Sequence, residues 1–169
     1  MRHPAVSKPA LFRRARLLIV GCGDIGQRVA RALSGRLRVR ALTSQPEHGA
    51  ALRALGITPL LGDLDQPASL RRLAALAPRV LHLAPPPSSG AHDTRTRALL
   101  RSLTRSPIAQ QLVYGSTTGV YGDAAGAWFD ETRAVAPATA RAQRRVDAEQ
   151  QLRHWSRAQP LRCSVCLLY

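Results

Sequence analysis

The stretch LLIVGCGDIGQRVARAL, residues 17–33, constrains the fold more than any other part of the chain. A short apolar run ends in three glycines, Gly21, Gly23 and Gly26, spaced GxGxxG, and a segment with helical spacing follows at once. Strand, glycine turn and helix in that order open a βαβ unit suited to a dinucleotide. Gly21 permits the tight turn, Gly23 lets a pyrophosphate approach the backbone, and Gly26 lets the helix pack close to the strand. The first N–H groups of that helix and the positive end of its dipole complete an anion cradle.

The rest of the chain repeats the alternation. Short apolar strands are expected at 16–21, 37–42, 57–61, 79–84, 111–116 and 162–169, with helices at 24–34, about 46–54, 68–76, 93–104 and 138–157. Leu70, Leu73 and Leu76 mark the apolar side of the third helix. Gly35, Pro59, Pro78 and Pro107 read as turn signals between elements. Strands alternating with helices predict an α/β, Rossmann-like fold: a doubly wound parallel sheet with helices on both faces, expected to stop after strand six. Residues 1–14 read as a flexible basic arm and 15–169 as one NAD(P)-binding Rossmann domain.

Composition limits the function classes. Of the 169 residues 45% are hydrophobic but only 4% aromatic, so the core must come from Leu, Val, Ile and Ala. Net charge is +15, which raises a nucleic-acid partner. The basic residues weigh against one: 24 of 25 are Arg, spread along the chain and not interleaved with aromatics. No apolar run approaches a membrane span, and the N-terminal stretch lacks a signal-peptide cleavage pattern, so a cytoplasmic protein without membrane partner is expected. Cys163 and Cys166 form a CxxC inside a predicted strand, where residues three apart face opposite sides, and read as structural thiols.

Three later segments fall at the carboxyl ends of predicted strands, where ligands bind in such sheets. They are LLGDLD (60–65), LAPPPSSG (83–90) and YGSTTGVYGD (114–123). With GCGDIG, they resemble the short-chain dehydrogenase/reductase superfamily in its extended, NAD-dependent epimerase/dehydratase-like branch, over about 16–169. The resemblance implies an oxidoreductase or epimerase activity. It implies that Gly21, Gly23 and Gly26, with Asp24 and Ile25, cradle the pyrophosphate. Asp63 would contact the adenine with Leu64 beside it, and Leu83 and Ala84 would line the cofactor. Thr117 aligns with the residue that bonds the reacting oxygen, and Tyr121 belongs to the VYG that follows. Each has a plainer reading. Asp63 can cap a turn, the prolines can form a stiff spacer, Ser116 to Thr118 can be ordinary turn residues, and His82 can be a packed core residue.

Cofactor type and chemistry depart from the family pattern. No carboxylate ends the second strand, where VRALTSQPEH runs to Thr43 and Ser44 before Glu47. An NAD site places Asp or Glu there, so the absence leans toward NADP. Arg40 lies in the strand and is not assigned. The family's Tyr-x-x-x-Lys is missing, since the only lysine is Lys8. Anchored on Glu149, the pattern puts Arg141 at the Tyr position and Arg145 at the Lys position. Arg145 keeps donors for a ribose or phosphate, but Arg is no acid or base near neutrality. The alternatives are therefore a non-catalytic NAD(P)-binding or sensor protein, or an inactive fragment. Extended members continue into a small substrate lobe, expected to be absent here. An unknown small-molecule substrate and self-association through the open sheet edge complete the expected partners.

Overall fold

A computed structural model describes residues 15–106 and 108–168. The proposed arm, residues 1–14, and the turn residue Pro107 lie outside the described residues. Six parallel strands form one sheet: β1 (Arg16–Val20), β2 (Arg38–Thr43), β3 (Thr58–Leu61), β4 (Arg79–His82), β5 (Gln111–Thr117) and β6 (Arg162–Leu168). Their order is β3-β2-β1-β4-β5-β6, the doubly wound arrangement whose winding reverses between β1 and β4. Four α-helices connect them: α1 (Asp24–Ala32), α2 (His48–Ala54), α3 (Thr94–Leu103) and α4 (Ala140–Arg157).

Alternation along the central strand explains the two-sided core. In β1, Leu18 and Val20 enter the cluster that packs Leu99, Leu103 and Leu152 from α3 and α4. Leu17 and Ile19 point the other way, to Ala30 of α1 and Leu52 of α2. Because both faces are covered, four of the five β1 side chains are apolar and buried.

Two sequence expectations change. The helix expected over 68–76 is instead a pair of 3₁₀ turns, Pro67–Leu70 and Leu73–Ala75. Leu70, Leu73 and Leu76 recur strictly every three residues, the period of a 3₁₀ helix, whose side chains at i and i+3 eclipse. Ser102 then donates to the Leu70 carbonyl at 2.7 Å, taking an acceptor that a continued α-helix would use. Pro59 sits inside the edge strand β3, not in a turn. Gly62 N–H donates to Thr43 O at 3.0 Å, so residues 58 and 60 turn their N–H groups to β2 and position 59 faces outward. A proline there costs no ladder bond.

Candidate functional site

A cleft of about 1020 Å³ opens over the carboxyl ends of the strands, at the point where the winding reverses. The first wall is the glycine loop. Gly21 has φ +88°, and a Cβ there would lie 2.4 Å from Ala84 N. The crowding has a cause: Leu83 and Ala84 both donate their N–H groups to Val20 O, at 2.7 and 2.9 Å, drawing the β4 exit onto the loop. Gly26 stands where a Cβ would meet Ile19 Cγ2 at 3.2 Å, which brings α1 close against β1. Gly23 differs from both, with nothing within 4 Å of its would-be Cβ. It is the N-cap of α1, and no side chain caps that end. The space over Gly23 and the first α1 N–H groups therefore opens into the cleft. Asp24 and Ile25 also line it, and the Asp24 carboxylate is paired with Arg28 Nε at 2.9 Å.

Leu42, Thr43 and Ser44 from the end of β2 and His48 of α2 line the next part. Among the described residues lining that part there is no carboxylate except Asp63 across the cleft. Arg40 turns away, donating Nη1 to Leu76 O at 3.3 Å. Asp63 does cap its own turn, its Oδ1 accepting from Asp65 N–H at 2.9 Å, and it lines the cleft with buried Leu64 as well.

A clamp not legible from motif spacing holds the GDLD loop against the proline loop. Arg95 of α3 donates Nε and Nη2 to the two Asp65 carboxylate oxygens, at 2.9 and 2.6 Å, and Nη1 to Pro85 O at 3.3 Å. The Arg95 hydrogen bond holds the Asp65 carboxyl below the usual carboxylate range. Leu83, Ala84, Pro85 and Arg95 all line the cleft.

The far wall is built by β5 and α4. Thr117 lines the cleft while its Oγ1 accepts from Gly119 N–H at 3.3 Å, capping a 3₁₀ turn over Thr118–Tyr121. Tyr121 is not among the lining residues: its ring is buried, edge-on to Phe129 at 5.0 Å. Arg141 and Arg145, one turn apart on α4, both line the cleft, Arg141 exposed and Arg145 only 7% exposed. Arg145 Nη1 donates to Tyr114 Oη at 2.9 Å and to Gly115 O at 2.6 Å. Burial pushes the Tyr114 phenol up to about 12 despite that guanidinium.

Behind this wall the polar chemistry is structural. His82 Nε2 meets Thr96 Oγ1 at 2.9 Å, and Thr96 donates on to Asp93 at 3.0 Å. Complete burial, helped by the Arg145 charge, holds the His82 imidazole down at about 3, so it is neutral. Burial raises the Asp93 carboxyl. The polar side of α4 grips the β4–α3 loop: Arg144 donates to Gly90 O (2.8 Å) and Ser88 O (3.3 Å), and Asp147 accepts from Asp93 N–H (2.7 Å). Gln151 adds a bond to Asp93 O at 3.1 Å.

Comparison with known proteins agrees with this architecture. Residues 17–84 match the TrkA-N domain model. No curated protein matches the chain. A functionally unknown conserved protein from Silicibacter pomeroyi is 33% identical, with a TM-score of 0.75 over 91% of this chain and 52% of its own. A short-chain dehydrogenase/reductase superfamily protein from Agrobacterium tumefaciens, with bound NAD, is 21% identical (TM-score 0.72, 89% of this chain and 48% of its own). UDP-glucuronic acid 4-epimerase from Bacillus cereus, in complex with NAD, is 19% identical (TM-score 0.73, 89% and 55%). The chain thus spans about half the length of the solved structures it matches. The resemblance read from its loops holds at the level of the fold: this is a Rossmann-type domain of the kind carried by short-chain dehydrogenase/reductase and epimerase structures.

Proposed function

We propose that the cleft binds a nicotinamide dinucleotide and that the chain is the cofactor-binding domain of an epimerase/dehydratase-like oxidoreductase. The observation that carries this reading is Gly23: the one glycine of the loop with open space above it caps an uncapped helix inside the cleft at the winding reversal. That arrangement fits a pyrophosphate, with N–H donors and the dipole of α1 facing it. Gly21, Gly23, Asp24, Ile25 and Gly26 hold the diphosphate in this reading, Asp63 and Leu64 the adenine, and Leu83, Ala84 and Arg145 the nicotinamide half. When bound, the cofactor supplies a hydride acceptor or donor. Thr43, Ser44 and His48, with no acid among them at the β2 exit, favour NADP over NAD, since a 2′-phosphate meets no like charge there. Thr117, which lines the cleft, would bond a substrate oxygen in this reading, and Tyr121 would reach it only by leaving its contact with Phe129. Fluorescence titration of the chain with NADPH and NADH tests the reading. Micromolar binding with NADPH tighter is expected, and no binding of either below millimolar concentration overturns it.

A second reading, a non-catalytic NAD(P)-binding or sensor protein, is favoured by one feature. Among the described residues lining the α4 end of the cleft there is no His, Tyr, Lys, Cys or carboxylate, only the guanidinium groups of Arg141 and Arg145 and the hydroxyls of Ser116, Thr117 and Thr139. Neutral His82 is buried behind that wall. Turnover of a sugar nucleotide or carbonyl compound that is lost in Thr117→Val would defeat this reading.

A further inference from the structure

Arg145 is unusual in its surroundings. It is 93% removed from solvent by the measure of its 7% exposure, yet neither it nor Arg141 forms an ion pair among the described residues. A buried charge without a counter-charge is costly unless something compensates it. Nη1 is satisfied by Tyr114 Oη and Gly115 O, but both acceptors are neutral, and Nε and Nη2 bond no described residue. Of the acids on α4, Asp147 is taken by His92, the Asp93 N–H and Gln151, and Glu149, one turn beyond Arg145, is engaged by Ser116 Oγ at 2.5 Å and Arg153 Nη2 at 3.2 Å. Of the two acids that line the cleft, Asp24 is paired with Arg28 and Asp63 accepts the Asp65 N–H.

Arg141 lies four residues before Arg145, on the same face of α4 and lining the same cleft. Both stand in the first two turns of an 18-residue helix, where the dipole is positive. Thr139 Oγ1 takes the Ala142 N–H at 3.1 Å, while the Ala140 and Arg141 N–H groups have no partner among the described residues. Thr117 Oγ, on the facing strand end, adds a hydroxyl to the same space. Two guanidinium groups, the Arg141 N–H and a hydroxyl border the same cleft, and every one of these groups can donate.

We propose that Arg141 and Arg145 form a binding site for a small carboxylate or phosphate anion at the α4 end of the cleft, distinct from the site for the dinucleotide's own phosphates. Arg145 already feels buried Asp93 and lies over the Tyr114 ring at 5.4 Å, so what the anion would meet is its unused donors, Nε and Nη2. The inference rests on the reading of the cleft as a dinucleotide site only in placing a second ligand beside the first.

Isothermal titration of the full chain with oxalate, and separately with inorganic phosphate, tests it, each with and without saturating NADP⁺. Saturable binding of one anion to one site is expected, and whichever binds tighter identifies a planar carboxylate or a phosphate as the natural group. Arg141→Gln, at an exposed position, is expected to weaken that binding at least about tenfold, as loss of a charge-assisted fork does, while NADPH affinity by fluorescence stays within about twofold. Arg145→Lys keeps the charge but not the fork and is expected to weaken the anion less. Equal anion affinity in wild type and Arg141→Gln overturns the proposal, as does absence of binding by both anions or their competitive displacement by NADPH. The NADPH titration on the same samples reports separately on the dinucleotide: anion binding that depends on Arg141 without NADPH binding would sink the cofactor reading and leave the anion site standing.

Discussion

The two walls of the cleft are made of different material. The glycine wall is backbone: its shape comes from three missing Cβ atoms and its donors are main-chain N–H groups. The α4 wall is side chain: Arg141 and Arg145 supply its charge, and its place is fixed by Arg144, Asp147 and Gln151 bonding the loop after β4. A backbone cradle recognises what is common to all dinucleotides, because main-chain donors do not vary with sequence. A side-chain wall varies with each substitution, and here it carries Arg141 and Arg145 in a chain whose only lysine is Lys8.

Breaking the glycine wall gives the largest expected effects, and two of its three glycines fail differently. Gly21→Ala forces a side chain into a φ of +88° and onto the Ala84 backbone. It is expected to cost on the order of 3 kcal/mol, from strain and overpacking together, read as a lower urea midpoint. Gly23→Ala meets nothing within 4 Å and is expected to melt within a few degrees of wild type. It would still lose at least about tenfold in NADPH affinity, roughly 1.4 kcal/mol, because the methyl group occupies the space left for the phosphates. Equal NADPH affinity in Gly23→Ala and wild type would falsify the cradle.

The layer behind the α4 wall makes a smaller, pH-dependent prediction. His82 is held near 3 in the folded protein against an ordinary 6.5. The unfolded chain therefore binds the proton first as pH falls. This contribution to stability is complete above about 6.5 and is lost as pH drops toward 3, with a slope of at most about 1.4 kcal/mol per pH unit. Urea unfolding between pH 4 and 7 should show that slope, and His82→Gln should flatten it. An NMR titration in which the His82 ring protonates near pH 6 would contradict the burial that causes it.

The smallest effect belongs to the clamp that spans the two loops. Arg95 and Asp65 are partly exposed, at 28% and 45% of their side chains, so screening leaves Arg95→Ala a cost of about 1 kcal/mol or less. A loss well above that in thermal melts would mean that the clamp organises the whole rim of the cleft.

The glycine wall was legible in the sequence because backbone requirements leave local marks. GxGxxG after an apolar run announced both the turn and the helix, and the strand alternation announced the sheet. Side-chain partners leave no such marks. Arg95 meets Asp65 across 30 positions and Gln151 meets Asp93 across 58, and no spacing rule joins them. The arginines of residues 139–149, TARAQRRVDAE, look alike in sequence, yet the fold gives them separate places: Arg141 and Arg145 line the cleft, while Arg144 grips a loop. The 68–76 segment was misread for a related reason. A period of three and one of 3.6 are hard to separate over three leucines, and contacts from α3 decided it.

Pro59 also gives the sheet a direction of growth. At the β3 margin the outward position has no N–H to offer, and the strand is only four residues long. At the opposite margin β6 runs for seven residues, registers fully with β5 and pairs with no other described strand. A seventh strand, from whatever chain, would find its template beside Cys163 to Leu168 and little to pair with beyond Pro59. Of the two margins, the β6 side is the better template for edge pairing.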